Sequence, residues 1–379
     1  MPRSPLIPFA GLSATYFAHI GFFNPYLPLW LKSLGLPIVV ISLLTSVQAF
    51  TRTFAPYAWG HVSDHTGERI KLLRYSAAVA LLASAGLWVE GGAWWIGFIL
   101  LVLFTHTSSM MSLTEAAMAH LVAGDWGRYG RVRVWGSIGF MATVFAAGAS
   151  FEKFGIDSFP AWTAATLILV LACTLWLPNV KEAAHEREKG QPILPVLRVP
   201  AVRWFFASLF FHVMAHYAIY AFLSLYLDSL GYGKGMIGAL WAVSVLVEIG
   251  WFYMQGRFIG RLPMHGWLVL TGVVTVIRMA MTAGLGNWLV ALFIAQALHA
   301  LTFATHHTAC IALVSQHFPG RLRARGQALF TVIGYGFGGV LGVLAGGAMV
   351  SRWGYEWMFA AAAVLGVLAT VCAMQVRRA

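Results

Sequence analysis

Four charged side chains, Arg52, Glu115, Glu248 and Arg278, lie deep inside long apolar runs. Of the thirteen Asp and Glu residues, Glu115 and Glu248 alone are set that far in; Glu248 interrupts the stretch ALWAVSVLVEIGWFYM, residues 239–254. A charge at the centre of a bilayer costs about 2.5 to 3.5 kcal/mol on insertion scales, so such groups face a partner or a watery cavity. The chemistry open to them is ion pairing, anion binding and proton carriage. A guanidinium presents a planar fork that fits a carboxylate, and a carboxyl in apolar surroundings can take up and release a proton. Arg52, Glu115 and Glu248 each fall about eight residues from a helix end, hence at similar depth at about 1.5 Å per residue. Arg278 has no acid at its level, which leaves it to an anionic ligand.

Each charge sits on a polar stripe at helical spacing. The stripes are Thr45, Gln48 and Arg52; Thr105, Ser108, Ser112 and Glu115; Ser244, Glu248 and Gln255; and Thr271, Thr275, Arg278 and Thr282. Histidine supplies a second titratable set, with His19, His212, His216, His299, His306 and His307 all in apolar runs. His212, His216 and Tyr220 stack on one helix face, and His299, Thr302 and His306 on another. Glu248 and Glu115 are the first candidates for carrying a proton, then His299 and His307. Arg278, Arg52, His216, Tyr220, Tyr26 and Trp241 are the candidates for binding a substrate. Tyr16, Phe23, Tyr26 and Trp30 could line a pocket for a flat molecule, or pack as anchors.

The elements that must position these residues are membrane helices. Of 379 residues, 59% are hydrophobic and 10% charged, against roughly 25% charged in a soluble domain. Apolar segments long enough to span recur twelve times, at 5–32, 38–60, 72–90, 94–122, 131–152, 160–178, 202–230, 235–255, 264–285, 287–315, 326–351 and 355–376. The net charge of +12 does not indicate a nucleic-acid partner. Four of the 25 Lys and Arg (Lys32, Lys153, Lys234, Arg352) follow odd-numbered spans, Arg52 and Arg278 lie within spans, and the other nineteen lie at the termini or after even-numbered spans. By the positive-inside rule both termini are cytoplasmic, and the first segment is expected to be a retained helix. Cys173, Cys310 and Cys372 show no metal-ligand spacing. No metal or cofactor is expected.

An internal repeat divides the chain. Residues 26–60 laid over 222–256 at a constant offset of 196 match Leu27 to Leu223, Leu31 to Leu227, Ser33 to Ser229, Gly35 to Gly231, Ile41 to Ile237, Tyr57 to Tyr253 and Gly60 to Gly256. Gly139 and Gly155 are spaced as Gly338 and Gly354 are. The offset sets Arg52 opposite Glu248. The expected organisation is an amino-terminal half of six helices (1–178), a charged, Pro-containing cytoplasmic linker (179–200) and a carboxy-terminal half (201–379). Parallel six-helix repeats are the architecture of major-facilitator transporters, with the substrate site near the midplane.

GHVSDHTGERIK, residues 60–71, resembles the cytoplasmic signature of that superfamily through Gly60, Asp64, Gly67, Arg69 and Lys71; in the second half Gly256, Arg257, Gly260 and Arg261 match without the acid. The resemblance implies that Asp64 helps lock one access state through charge contacts. YLPLWLKSLGL (26–36), SLTEAAMA (112–119), YGRVRVWGSIGF (129–140), AHYAIYAF (215–222), VEIGWF (247–252), VIRM (276–279) and LHALTF (298–303) make the chain similar to the phenylpropionic acid transporter branch of the lactose-permease-like major facilitators over nearly its whole length. This implies an all-α membrane protein with twelve helices, no enzyme activity, and uptake driven by the proton gradient through alternating access. It also implies that Glu248, Arg278 and His299 match the acid, arginine and histidine of the coupling helices. One departure stands out: lactose permease has a proton-carrying glutamate three residues after that histidine, where this chain has Thr302.

The leading expectation is a proton-coupled importer of a small organic solute, an aromatic carboxylate first, acting as a monomer in a bacterial-type inner membrane. A sugar or nucleoside symporter and a drug-extruding antiporter are the alternatives within transport. SQHFPG and AHEREKG, the loop histidine stretches near acids or hydroxyls, show no arrangement for acid–base catalysis. A transport-inactive sensor or scaffold is the remaining alternative.

Overall fold

In a bilayer every backbone N–H and C=O needs an internal partner, and a chain built of apolar runs meets that demand by becoming helical throughout. The computed structural model describes residues 6–122, 126–178 and 192–376. It contains the long helices α1 (Ile7–Ser33), α2 (Ile38–Thr66), α3 (Arg69–Ser84), α4 (Gly92–Val122), α5 (Trp126–Phe154), α6 (Phe159–Trp176), α7 (Pro200–Ser229), α8 (Lys234–Met254), α9 (Met264–Gly284), α10 (Leu289–His317), α11 (Arg323–Trp353) and α12 (Tyr355–Val376). Eleven of them, all but α1, form spans long and apolar enough to cross a membrane, that of α3 running on through a 3-10 turn to Trp88. At 27 residues α1 is as long, but His19, Asn24 and two internal prolines, Pro25 and Pro28, dilute its apolar run.

Several helices outrun their apolar segments. α2 continues to Thr66 and not to residue 60, and α11 begins at Arg323 and not at 326. Apolarity marks where lipid would begin, whereas helical hydrogen bonding stops only at a breaker. Gly60 accordingly lies inside α2, and the turn is made by Gly67, whose φ of +66° favours a residue without a Cβ. Of the two signature glycines, Gly67 therefore makes the turn. The expected linker lies largely outside the described residues, at 179–191; its last part forms a short helix, Leu194–Arg198.

The chain gathers into two compact units, residues 1–187 with 233–242, and 188–232 with 243–379. The first turns of α8 join the first unit because Tyr26 Oη donates to the Lys234 carbonyl at 3.1 Å and the Gly235 amide donates to Glu152 at 3.2 Å. Within the first unit α1 packs on α5 and α6, α2 on α4, and α3 on α4 and α6. Arg74 donates to the Thr174 and Leu177 carbonyls, capping the end of α6. Within the second unit α7 packs on α11 and α12, and α9 on α10 and α12.

The repeat is visible in contacts as well as letters. Gly35 and Gly231 both end a helix at positive φ, +77° and +85°. Tyr16 Oη donates to the Thr107 carbonyl on α4 at 3.0 Å, and His212, at the same offset of 196, donates through Nε2 to the Thr302 carbonyl on α10 at 2.7 Å. Gly139 of α5 lies against the backbone of Ala14, and Gly338 of α11 against that of Phe210, again 196 residues on.

A Cβ on Gly139 would run into the backbone of Ala14, its carbonyl oxygen first. Gly139→Ala is therefore expected to destabilise the protein by about 1 to 3 kcal/mol. Gly250→Ala, where a Cβ meets nothing within 4 Å, should be neutral or gain up to about 1 kcal/mol from helix propensity. Thermal unfolding of the two variants in detergent checks the contrast.

Candidate functional site

α9 carries Thr271, Thr275, Arg278 and Thr282 on one buried face. The three threonines bond back to their own helix, onto the carbonyls of Leu268, Thr271 and Arg278. The guanidinium looks across to α10: Nη1 donates to His299 Nδ1 at 3.0 Å and to Thr302 Oγ1 at 3.1 Å, and Nη2 to Gln296 Oε1 at 3.0 Å. Its Nε has no hydrogen-bond partner among the described residues. Arg278 is 0% exposed, and no carboxylate of the described residues contacts its guanidinium.

A guanidinium cannot accept a hydrogen bond, so His299 Nδ1 must be the acceptor, and the neutral ring keeps its proton on Nε2. That nitrogen lies 3.5 Å from Glu248 Oε2 on α8. Arg278, His299 and Glu248 are thus in series, one imidazole standing between cation and carboxylate. A change in charge at either end is felt through a single ring.

The α10 side chains reach this position because the helix widens. Ala300–Thr305 is π-helical, a form that recurs at functional sites. In an α-helix the His306 amide would bond to the Thr302 carbonyl; here it bonds to Phe303, and His212 Nε2–H donates to Thr302. α11 repeats the device over Thr331–Gly338: the Gly339 amide bonds to Gly336, and the Tyr335 carbonyl accepts from Tyr217 Oη at 3.1 Å. His212 is stacked between His306, 3.5 Å away with planes 6° apart, and His216, 4.5 Å away. His216 Nδ1 donates to the His212 carbonyl at 3.0 Å.

The structure therefore brings Glu248, Arg278, His299, His216 and Tyr220 into one cluster; the Tyr220 ring is 6.4 Å from that of His299. His307 is on the same helix, half-buried against Phe303 and Phe330. The remaining candidates belong to the first unit. Arg52 and Glu115 are half-buried, and both lie within electrostatic reach of Tyr16. Tyr26 is fully buried, its hydroxyl bonded to the Val144 and Lys234 carbonyls and its ring against Phe151. Phe23 and Trp30 pack on Phe159, so the aromatic series of α1 is largely interior. Trp241 is buried in the segment of α8 that joins the first unit. Asp64 sits 3.6 Å from Arg69 across the Gly67 turn, and Arg69 Nε donates to Ser63 Oγ at 3.1 Å.

Two residues escaped the sequence reading. Gln296 lies one turn before His299, and that spacing could have found it. Arg133 reads as a loop cation but is inside α5, over the Phe17 ring at 4.1 Å and within reach of Tyr16.

Known proteins share this architecture. Over 332 residues the chain is 25% identical to a probable 3-phenylpropionic acid transporter of Escherichia coli (strain K12), covering 85% of each. It is 23% identical to a maltose permease of Geobacillus stearothermophilus, covering 93% of this chain and 90% of the permease. A solved point mutant of the nucleoside transporter NupG superposes with a TM-score of 0.87 at 17% identity, over 98% of this chain and 99% of that one. The MFS_1 like family matches residues 9–361, nearly the whole length, and the chain belongs to it: it is a multi-pass membrane transporter of the major-facilitator type.

Proposed function

We propose that the protein imports a small organic acid together with a proton, with Arg278 holding the carboxylate and Glu248 carrying the proton. The observation that carries this reading is a fully buried guanidinium bonded to three neutral acceptors and, among the described residues, to no acid. An unpaired buried charge is costly, and an anionic cargo removes the cost while it is bound. A neutral sugar or nucleoside would bring no negative charge into contact with the guanidinium. The printed name of the Escherichia coli relative supports an aromatic acid as the first candidate. The charge distribution along the sequence supports cytoplasmic termini, and a bacterial-type inner membrane supplies the proton gradient. The gating role of Gly60, Asp64, Gly67 and Arg69, the part of Arg52 and Glu115 in a second charge cluster, and monomeric action belong to the same proposal.

Coupling follows from the series arrangement. While Glu248 is ionised, the His299 Nε2–H faces a carboxylate and the cluster already contains one negative charge for Arg278. Protonation of Glu248 removes that charge, and the anion on Arg278 takes its place. Loading with both species or with neither keeps the cluster near neutrality, which penalises the half-loaded carrier.

Arg278→Lys keeps the charge but loses the planar fork and its three anchored bonds. The apparent KM for 3-phenylpropionate uptake is expected to rise about tenfold or more at normal expression; unchanged KM would remove Arg278 from the site. The same assay with thymidine and lactose tests the neutral-cargo alternative.

Glu248→Gln holds the position in a permanently uncharged form. Accumulation of the acid against its gradient should stop, while exchange of labelled for unlabelled acid across the membrane continues. Normal accumulation by this variant would hand the proton to Glu115, His299 or His307.

A further inference from the structure

The cluster around Arg278 holds two unsatisfied groups of opposite kind. Arg278 Nε–H is a buried donor without an acceptor, and His216 Nε2 is buried without a partner among the described residues. His216 is 2% exposed. Its Nδ1 must carry the proton, because it faces the His212 carbonyl, which only accepts. The neutral ring therefore turns a bare lone pair at Nε2 into the protein interior. Leaving such a group unpaired costs about 1 to 3 kcal/mol, and native interiors rarely do so without a use.

Two further rings pack beside that of His216. His216, Tyr220 and His299 form a near-equilateral triangle, with centroids 6.2 Å, 6.4 Å and 6.5 Å from one another. These separations fall within the range of about 4.5 to 7 Å in which aromatic pairs interact. Arg278 holds the His299 corner of the triangle through the 3.0 Å bond to Nδ1. The cluster thus offers one donor, one acceptor atom and aromatic neighbours, and a single molecule satisfies it only by presenting an acceptor to the first and a donor to the second.

We propose that the cargo is a hydroxylated aromatic acid, whose carboxylate meets Arg278 and whose ring hydroxyl donates a hydrogen bond to His216 Nε2. This rests on the assignment of Arg278 to an anionic cargo and adds the second polar anchor. A site with a buried acceptor rejects an analogue that cannot donate more strongly than an apolar pocket rejects one of the wrong size, because the rejected analogue leaves the acceptor desolvated and unpaired. His216 then selects among aromatic acids that Arg278 alone would not tell apart.

The test compares 3-phenylpropionate, its 3- and 4-hydroxyphenyl analogues and the two methyl ethers of those phenols as competitors of proton-driven uptake in proteoliposomes. The ethers keep the oxygen and add bulk but cannot donate. At least one phenol should bind about tenfold or more tighter than both the unsubstituted acid and its own ether. In His216→Phe that preference should shrink to within about twofold, whatever the overall rate. A readout without any variant is the ¹⁵N resonance of His216 Nε2, which should shift when the favoured phenol binds and not when its ether does. Equal affinities across the series, a preference that survives in His216→Phe, or an unmoved resonance each overturn the proposal and leave the Arg278 assignment standing. Failure of every acid to compete overturns both.

Discussion

Arg278 carries its positive charge fully buried, with no carboxylate of the described residues in contact with the guanidinium, and the arrangement of the second unit around it is a response to that constraint. α9 turns a threonine face inward, and each threonine bonds to its own backbone, so that none competes for the guanidinium. α10 supplies three neutral acceptors, Gln296, His299 and Thr302, from successive turns. The negative charge that balances the cluster is held one imidazole away, on Glu248. A carboxylate in direct contact would form a closed ion pair and leave nothing for a cargo to do. A carboxylate at one remove stabilises the cation only in part, and a second anion can still bind.

α7 fixes the geometry that this requires. A π-helical turn frees a carbonyl that an α-helix would use, and α7 claims one from each of two such turns, through His212 on α10 and Tyr217 on α11. The bond to Thr302 fixes the backbone of the very residue whose hydroxyl meets Arg278. It also orients His212, whose stack with His216 and His306 lines up the histidines of two helices. In the first unit Tyr16 makes the corresponding bond from α1 to α4, and its ring lies within reach of Arg52, Glu115 and Arg133. The two units thus use one kind of strut beneath two different charge clusters.

Much of this was legible in the sequence. Twelve apolar runs and a gapless repeat were enough to place the helices, and the charges on polar stripes, with the family resemblance, to single out Arg278, Glu248 and His299. What stayed hidden has identifiable causes. Hydropathy records contact with lipid, so it stopped α2 at residue 60 although the helix runs on to Thr66. Periodicity assumes an α-helical turn, so the π turn between Ala300 and Thr305 could not be seen, nor the bond from His212 that depends on it. Aromatic residues look alike whether they line a pocket or fill a core, and Tyr26 proved to be packed with its hydroxyl occupied. Gln296 carries no charge and lies in a run with no charged neighbour on its own helix face, yet it holds one arm of the guanidinium.

The central claim is that an anion on Arg278 and a proton on Glu248 arrive together because one imidazole joins the two sites. It is tested most directly by titrating the purified wild-type protein with its acid in a calorimeter, in buffers that differ in ionisation enthalpy, at a pH where the free acid and Glu248 are both ionised. The account predicts that each acid bound draws about one proton from the buffer, since each carboxylate placed on Arg278 replaces one charge lost from Glu248. Binding of the acid with no proton taken up would contradict it.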